Sequence, residues 1–246
     1  MKTTVVAVLL VACGCGEVKD KPDAPVGDGK TTDGKAIDAG MCSGGISFTG
    51  EDVDWDSTDT AFCGVFNATL KVRGSSDPAQ SDTTSPNGRW VMCLPLQTPV
   101  TIDLTPPTGN NPCATSPGSY GLKGIAVADA QVQAMLTGTD VFRIREFSTN
   151  RATGFYAQIG RAYDPTKGAL MVHVVGAQHP VAITAVHDQV EKSDGTTWQA
   201  GDTGVDVYFP NIPVGTTTIQ AATGTTGAIS VPIEANTITY ATIVTP

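Results

Sequence analysis

The sequence predicts a mainly β chain: two small antiparallel β-sandwich domains joined by a partly helical connector. Three observations lead there. Hydrophobic residues make up 40% of the 246 residues, enough for real cores, and only 16% are charged, too few for an intrinsically disordered chain. Glycine (27) and proline (16) are both frequent, which suits short strands joined by tight turns. Residues 41–108 and 168–246 hold runs that alternate apolar with polar side chains, whereas 109–167 carries apolar residues at helical spacing.

Residues 1–12 read as an export signal. Lys2 supplies the positive start, and Thr3 to Ala12 is an apolar run of ten residues. Ten helical residues cannot span a bilayer core of roughly 30 Å, but they fit the core of a signal peptide, which is removed after export. The run ends in Leu10-Val11-Ala12-Cys13-Gly14. These residues resemble the lipobox of bacterial lipoproteins: an aliphatic residue, a small or β-branched one, a small one, then cysteine. The resemblance implies that Cys13 is diacylated on sulfur and becomes the first residue of the mature chain. Cys15 fits less well, because Ala12 would then occupy the aliphatic position. The alternative is an ordinary signal peptide cut near Ala12. In Gram-negative lipoproteins an aspartate after the anchor resembles an inner-membrane retention signal; Gly14 stands there instead, which implies the outer membrane.

Residues 13–40 follow as the acylated cysteine and an acidic tether. Glu17 to Gly40 has no aromatic and almost no aliphatic residue, so it cannot bury enough apolar surface to offset its ordering entropy. A flexible segment of that length spans about 25–30 Å.

In the first unit, 41–108, Phe66, Ala68, Leu70 and Val72 share one parity, as do Trp90, Met92 and Leu94. Asn87-Gly88 marks a tight turn, because this pair readily takes positive φ. Val100 to Leu104 alternates again. Ile46 and Phe48 have one parity and Val53 and Trp55 the other, which a bulge near Gly50 would reconcile. Cys42, Cys63, Cys93 and Cys113 form an even set in an exported chain, which points to two disulfides. The lack of any Cys-x-x-Cys spacing argues against zinc. Three connectivities are open; Cys63–Cys93 nested inside Cys42–Cys113 would clamp the unit at both ends.

The connector, 109–167, places Ala128, Val132, Met135 and Leu136 on one helical face, with Asp129 before it and Gly138 after. Phe155, Ile159 and Tyr163 repeat at four-residue spacing, a second helical segment interrupted by Gly154 and Gly160. Both segments are expected to pack against the second sandwich. In that unit, 168–246, Ala169 to Val175 is a nearly continuous apolar strand. Val181 to Ala185, Val205 to Phe209, Thr216 to Ala221 and Ile238 to Val244 follow as strands.

The two units echo each other: Leu94-Pro95-Leu96-Gln97-Thr98 aligns with Ile212-Pro213-Val214-Gly215-Thr216. The stretches TTSPNGRWVMCLPLQTPVTIDL and VDVYFPNIPVGTTTIQA resemble the carboxypeptidase regulatory-like domain, a small transthyretin-like β-sandwich. The first copy departs from the pattern at Gln97, where glycine is common. These motifs are turn signals, so the resemblance implies a fold and brings no active site.

A net charge of −9 repels phosphate backbones and anionic lipid headgroups, which excludes nucleic acid as a partner and leaves membrane contact to the anchor. Asp52-x-Asp54-x-Asp56, within the cluster of Glu51, Asp52, Asp54, Asp56 and Asp59, begins like a calcium loop. It lacks the glycine at position six (Ser57) and the glutamate at position twelve (Cys63). His173 and His187 end up near each other if their strands pair, but no His-x-His or His-Glu-x-x-His spacing supports a metal site. No Gly-x-Ser-x-Gly or phosphate loop is present. The expected protein is therefore a non-enzymatic envelope lipoprotein without cofactor, a spacer or interaction module. Its expected partners are the membrane through Cys13 and an envelope protein or polysaccharide. Two rival readings remain. One is a glycan-binding module, for which Trp198 in a polar loop is the exposed aromatic candidate and Trp90 is buried. The other is a metal enzyme built on His173 and His187.

Overall fold

An apolar strand buried on both faces needs a layer on each side, and the run Gly168–Val175 has both. The computed structural model describes residues 42, 45–58, 61–95, 99–111, 113–114, 118–136, 140–195, 197–221 and 227–246. The chain begins with β1 (Gly45–Asp54), β2 (Thr69–Val72), β3 (Ser81–Thr83), β4 (Arg89–Pro95) and β5 (Val100–Thr105). Its middle forms β6 (Lys123–Ala128), helix α1 (Ala130–Met135), β7 (Phe142–Glu146) and helix α2 (Thr149–Gln158). Then come β8 (Gly168–Val175), β9 (Val181–Ile183), β10 (Glu191–Ser193), β11 (Trp198–Ala200) and β12 (Asp206–Ile212). The last three are β13 (Gly215–Ala221), β14 (Ile229–Ile233) and β15 (Thr237–Val244).

These strands make three sheets. The central one has nine strands in the order β11-β10-β12-β8-β15-β6-β5-β2-β3. A three-stranded sheet, β4-β1-β7, covers one face, and another, β14-β13-β9, covers the other. Alternation along the central strands feeds two cores. Ala126, Met171, Tyr208 and Tyr240 pack with Phe48, Trp90, Met92 and Phe142 of the first outer sheet. Val127, Leu170, Val172, Phe209 and Ile243 pack with Ile219, Val231 and Ile233 of the second. The fold is thus mainly β and sandwich-like, with two cores that share one sheet.

Strands from both sequence units therefore lie in one hydrogen-bonded sheet, and the boundary expected between two separate sandwiches does not divide the ladder. A strand inside the expected connector, β6, causes this, and a second, β7, joins the outer sheet. β6 pairs with β5 on one side and with β15 in parallel on the other, and β7 pairs in parallel with β1. The β8–β15 pair is also parallel, so the ladder is mixed where an antiparallel one was expected. The helices divide between the cores: Val132 of α1 joins the second, and Phe155 and Tyr156 of α2 join the first. Asp129 caps α1, its side chain accepting from the Gln131 amide at 2.7 Å. Gly138 lies outside the described residues.

Several local expectations need correction. β1 runs without a bulge, in continuous register with β4 from Gly45↔Pro95 to Glu51↔Arg89. Gly50 makes room for the Trp90 indole, since a Cβ there would stand 2.2 Å from its ring. Val53, of the other parity, is buried where Gly64 bridges to it, and Trp55, just past the strand, turns into the same core as Phe48, where Phe147 stacks on it. Phe66 does not join its strand. Asn67 takes a left-handed φ of 67°, which breaks the alternation and leaves Phe66 exposed, while Ala68 and Leu70 remain buried. The Asn87-Gly88 turn forms with Gly88 at φ 71° and its amide donating to Ser85 O at 2.8 Å. A Cβ on Gly88 would meet the Asp52 carbonyl oxygen at 2.0 Å, so glycine is required there twice over.

The disulfides are Cys42–Cys93 and Cys63–Cys113, overlapping where a nested arrangement was expected. β1 pairs with β4, which brings Cys42 to Cys93; Cys63 follows β1 on the other side and meets the loop after β5. Each bridge closes a loop of about fifty residues, for which loop-closure entropy gives roughly 4 kcal/mol. Because the central sheet takes strands from both halves, reduction is expected to lower the melting temperature of the whole body in one cooperative transition. Differential scanning calorimetry with and without reductant checks this. Two separated transitions, only one of them sensitive to reductant, would contradict the shared sheet. Peptide mapping checks the connectivity.

Candidate functional site

The most unusual chemistry lies where β1 and β7 run in parallel. Register places Asp52 beside Ile144 and Asp54 beside Glu146, so three carboxyl groups share one short stretch of ladder. Asp52 and Glu146 are buried, and their carboxyl oxygens have no hydrogen-bond partner among the described residues except each other. Each is the other's neighbour in an apolar surrounding. Burial raises Asp52 well above the usual carboxylate range, with Glu146 adding to the effect. Burial likewise lifts Glu146 to about 7. Two carboxyls in this setting hold at least one proton at neutral pH, because the doubly charged state has no counter-ion. Asp54 is different: it accepts from the Tyr120 hydroxyl at 2.8 Å and from the Asp56 amide at 3.2 Å.

A second buried polar group joins the outer sheet to the central one. Arg145 donates to Asp206 at 2.8 Å and to the Ser57 carbonyl at 2.7 Å. His173 Nδ1 meets the other Asp206 oxygen at 2.7 Å. Burial would raise the Asp206 carboxyl, but His173 and Arg145 overcome it and hold the group down at about 2. Thr242, His173 and Asp206 stand abreast on β15, β8 and β12. The order is that of a nucleophile, a base and an acid. However, the buried Thr242 hydroxyl has no hydrogen-bond partner among the described residues, so the contact that would activate it is missing.

The residues singled out from sequence separate in space. Of the acidic cluster, Glu51 pairs with Arg143, Asp56 with Arg151, Asp54 with Tyr120, and Asp52 faces Glu146. Asp59 lies outside the described residues. Strand alternation sends Glu51 to the opposite face from Asp52 and Asp54, and no group of three His, Cys, Asp or Glu among the described residues is arranged to hold a metal. His173 and His187 do not meet. His173 lies on the first-core face, on Asp206, while His187 packs on Phe209 of the second core at 5.2 Å. Trp90 is buried. Trp198 is half-buried and stacked on Trp55, so the loop exposure expected for it is reduced by a partner far away in sequence. Cys13 lies outside the described residues. Glu146, Arg145 and Asp206 were not singled out from sequence. The alternation Phe142-Arg143-Ile144-Arg145-Glu146 is the signal that marks their strand.

Two clefts flank α2. The larger, about 510 Å³, is lined by Leu122, Ala152, Tyr156, Arg161 and Tyr163; the smaller, about 240 Å³, by Gln158, Glu191, Trp198 and Gln199 among others. No helix among the described residues is long and apolar enough to cross a membrane.

No protein family and no curated protein matches the chain. Among solved structures, a streptococcal ancillary pilin is 8% identical, over 81% of this chain and 68% of that one, with a TM-score of 0.25. The shaft pilin SpaA from Lactobacillus rhamnosus GG is 10% identical over 81% and 97%, TM-score 0.24. GBS52, the minor pilin of Streptococcus agalactiae, is 10% identical over 81% and 96%, TM-score 0.20. Similarity at this level carries no argument about this chain.

The carboxyl pair has a consequence for stability. Glu146 gives up its proton at the ordinary 4.5 when unfolded and at about 7 when folded. The folded state therefore binds more protons across that window. Stability is full below about 4.5 and is lost as pH rises toward 7. The loss is on the order of 2–3 kcal/mol. Glu146→Gln, which keeps the volume and removes the charge, is expected to flatten this decline and to exceed wild type in stability at pH 8. Urea unfolding at pH 5 and pH 8 measures both; parallel pH profiles for the two proteins would refute the assignment.

Proposed function

We propose that the chain is a non-catalytic lipoprotein of the cell envelope, held on the outer membrane by acyl chains on Cys13, with its β body serving as a spacer or interaction module. The observation that carries the reading is the pair of disulfides, Cys42–Cys93 and Cys63–Cys113, which belong in an oxidising compartment outside the cytoplasm. The short apolar run ending in Leu10-Val11-Ala12-Cys13 supplies a matching route and anchor. The shared central sheet supports a body that transmits position without hinging between halves, which suits a spacer. The carboxypeptidase regulatory-like resemblance is part of the same proposal: each segment carries an aromatic strand into one sheet and the next strand into another. The polar groups buried between the sheets support a structural role, since each described one is tied to a structural partner or sealed from solvent.

The anchor gives the sharpest test. Each buried CH₂ contributes about 0.8 kcal/mol, and a single chain binds only marginally, so durable attachment needs the two chains of a lipoprotein thioether. Fatty-acid labelling and detergent partitioning compare wild type, Cys13→Ala and Cys15→Ala. Cys13→Ala is expected to lose label and accumulate as precursor or as a soluble exported protein, whereas Cys15→Ala stays attached. Salt is expected to extract neither wild type nor Cys15→Ala, because the acidic body has no grip on anionic lipid. Label retained in Cys13→Ala, or absent from wild type, would refute the anchor.

A further inference from the structure

Phe147, Trp55 and Trp198 form a column of near-parallel rings. Phe147 and Trp55 lie 3.5 Å apart at 20°, and Trp55 and Trp198 lie 4.7 Å apart at 16°. Phe155 stands beside the column, 5.3, 5.1 and 5.5 Å from the three rings in turn. Tyr208 stands beside it as well, at 6.0, 5.2 and 6.4 Å, and meets each ring near 80°. Two flanks of the column are thus occupied along its length, and one end is sealed in the core, where Phe147 and Trp55 are buried. Trp198 is the last ring. With one face on Trp55, this half-buried residue turns what remains of its surface to the cleft of about 240 Å³ between the end of α2 and the β10–β11 edge.

Besides Ile159 and Ala200, the rest of that cleft is lined by amides and one carboxyl. Gln158, Gln189 and Gln199 line it, all exposed and none with a side-chain hydrogen bond among the described residues. Glu191 of β10 stands with them, raised from its ordinary value by burial while Arg161 opposes the shift. An aromatic side chain beside three amides and a carboxyl suits a ligand with an apolar face and hydroxyls around its edge. No cation is among the described residues that line the cleft, where Arg161 acts on Glu191 from outside the lining, and the chain carries −9, which disfavours an anionic ligand. The volume falls below the roughly 300–1,000 Å³ of drug-sized pockets, room for a single ring of a longer polymer.

We propose that Trp198 is the platform of a glycan-binding site, on which a neutral pyranose stacks as the fourth ring of the column while Gln158, Gln189, Gln199 and Glu191 hydrogen-bond its hydroxyls. The inference deepens the interaction-module reading and rests on it for where the glycan is met; binding itself does not involve Cys13. Isothermal titration and tryptophan emission of the full chain with soluble dextran, laminarin and mannan, and with polygalacturonate as the acidic control, test it. At least one neutral polysaccharide is expected to bind with a micromolar to millimolar Kd and to shift the emission, and polygalacturonate is not. Trp198→Ala is expected to weaken binding at least tenfold. Gln158→Ala, at an exposed position, is expected to weaken it severalfold with no change in melting temperature, and it decides the matter if Trp198→Ala fails to fold. Failure of all three neutral polysaccharides to bind, binding unchanged in the variants, or preference for polygalacturonate would overturn the site. None of these results bears on Cys13, and loss of the anchor would leave them standing.

Discussion

The last strand holds the body together. β15 is hydrogen-bonded on both edges, to β8 from Ile238↔Ala169 to Val244↔Val175 and to β6 from Thr237↔Lys123 to Ala241↔Val127. Without it the central sheet would fall into two four-stranded pieces, β11-β10-β12-β8 and β6-β5-β2-β3. Its side chains also reach both cores: Ile238 and Tyr240 enter the first, Ala241 and Ile243 the second. The Tyr240 hydroxyl then donates to the Arg145 carbonyl at 2.7 Å, fixing the outer strand β7 above it. A segment near residue 240 thus completes pairings begun near residues 125 and 170. Contacts of such sequence separation form late and cooperatively, so neither half has a finished sheet on its own.

That arrangement explains why polar groups can sit between the sheets. Arg145 and Asp206 neutralise each other across two layers, with His173 on the second Asp206 oxygen, so removing either member of the ion pair strands a buried charge at a cost of about 3–5 kcal/mol. Such a network favours one packing of β7 over the central sheet. The Asp52–Glu146 pair has no counter-ion and works the other way, tolerated only while a proton remains. Both groups act on one outer sheet, the first pinning it to the central sheet through Arg145 and the second loading it with a pH-dependent penalty. Neither presents an activated nucleophile or a metal cage among the described residues, and both are legible as structural chemistry.

The sequence made the local pieces readable. Strand alternation placed Trp90, Met92, Leu94, Ile102 and Leu104 inside, where they are buried, and Asn87-Gly88 announced its turn. The parts that stayed hidden depend on distant partners. Lys123–Ala128 is short, small and apolar, equally compatible with a helix, and becomes a strand because β5 and β15 lie on either side. The disulfide pairing followed strand order, which periodicity does not encode. Trp198 lies in a polar stretch of sequence and is half-buried because Trp55, from the far side of the chain, stacks on it and Phe155 and Tyr208 stand beside it. The candidate glycan cleft was visible as a residue and invisible as a site, since its amides come from α2, β11 and the loop before β10.

The echo between the two sequence units has the same origin and a different outcome in each. Pro95 ends β4 and Pro213 follows β12; proline has no N–H for the ladder, so pairing stops there and the chain can leave the sheet. After β4 it moves from an outer sheet into the central one as β5, and after β12 it moves from the central sheet out to β13. Pro210 and Asn211, at φ 53°, sit in the register shift that re-aims β12 before it leaves, and the Asn211 amide is held by Ala162 O and Asp188. One local signal, an aromatic strand closed by proline, therefore drives crossings in opposite directions. Two such signals with their own sheets would have built two sandwiches; with β6 and β15 inserted between them they build one sheet with a core on each face.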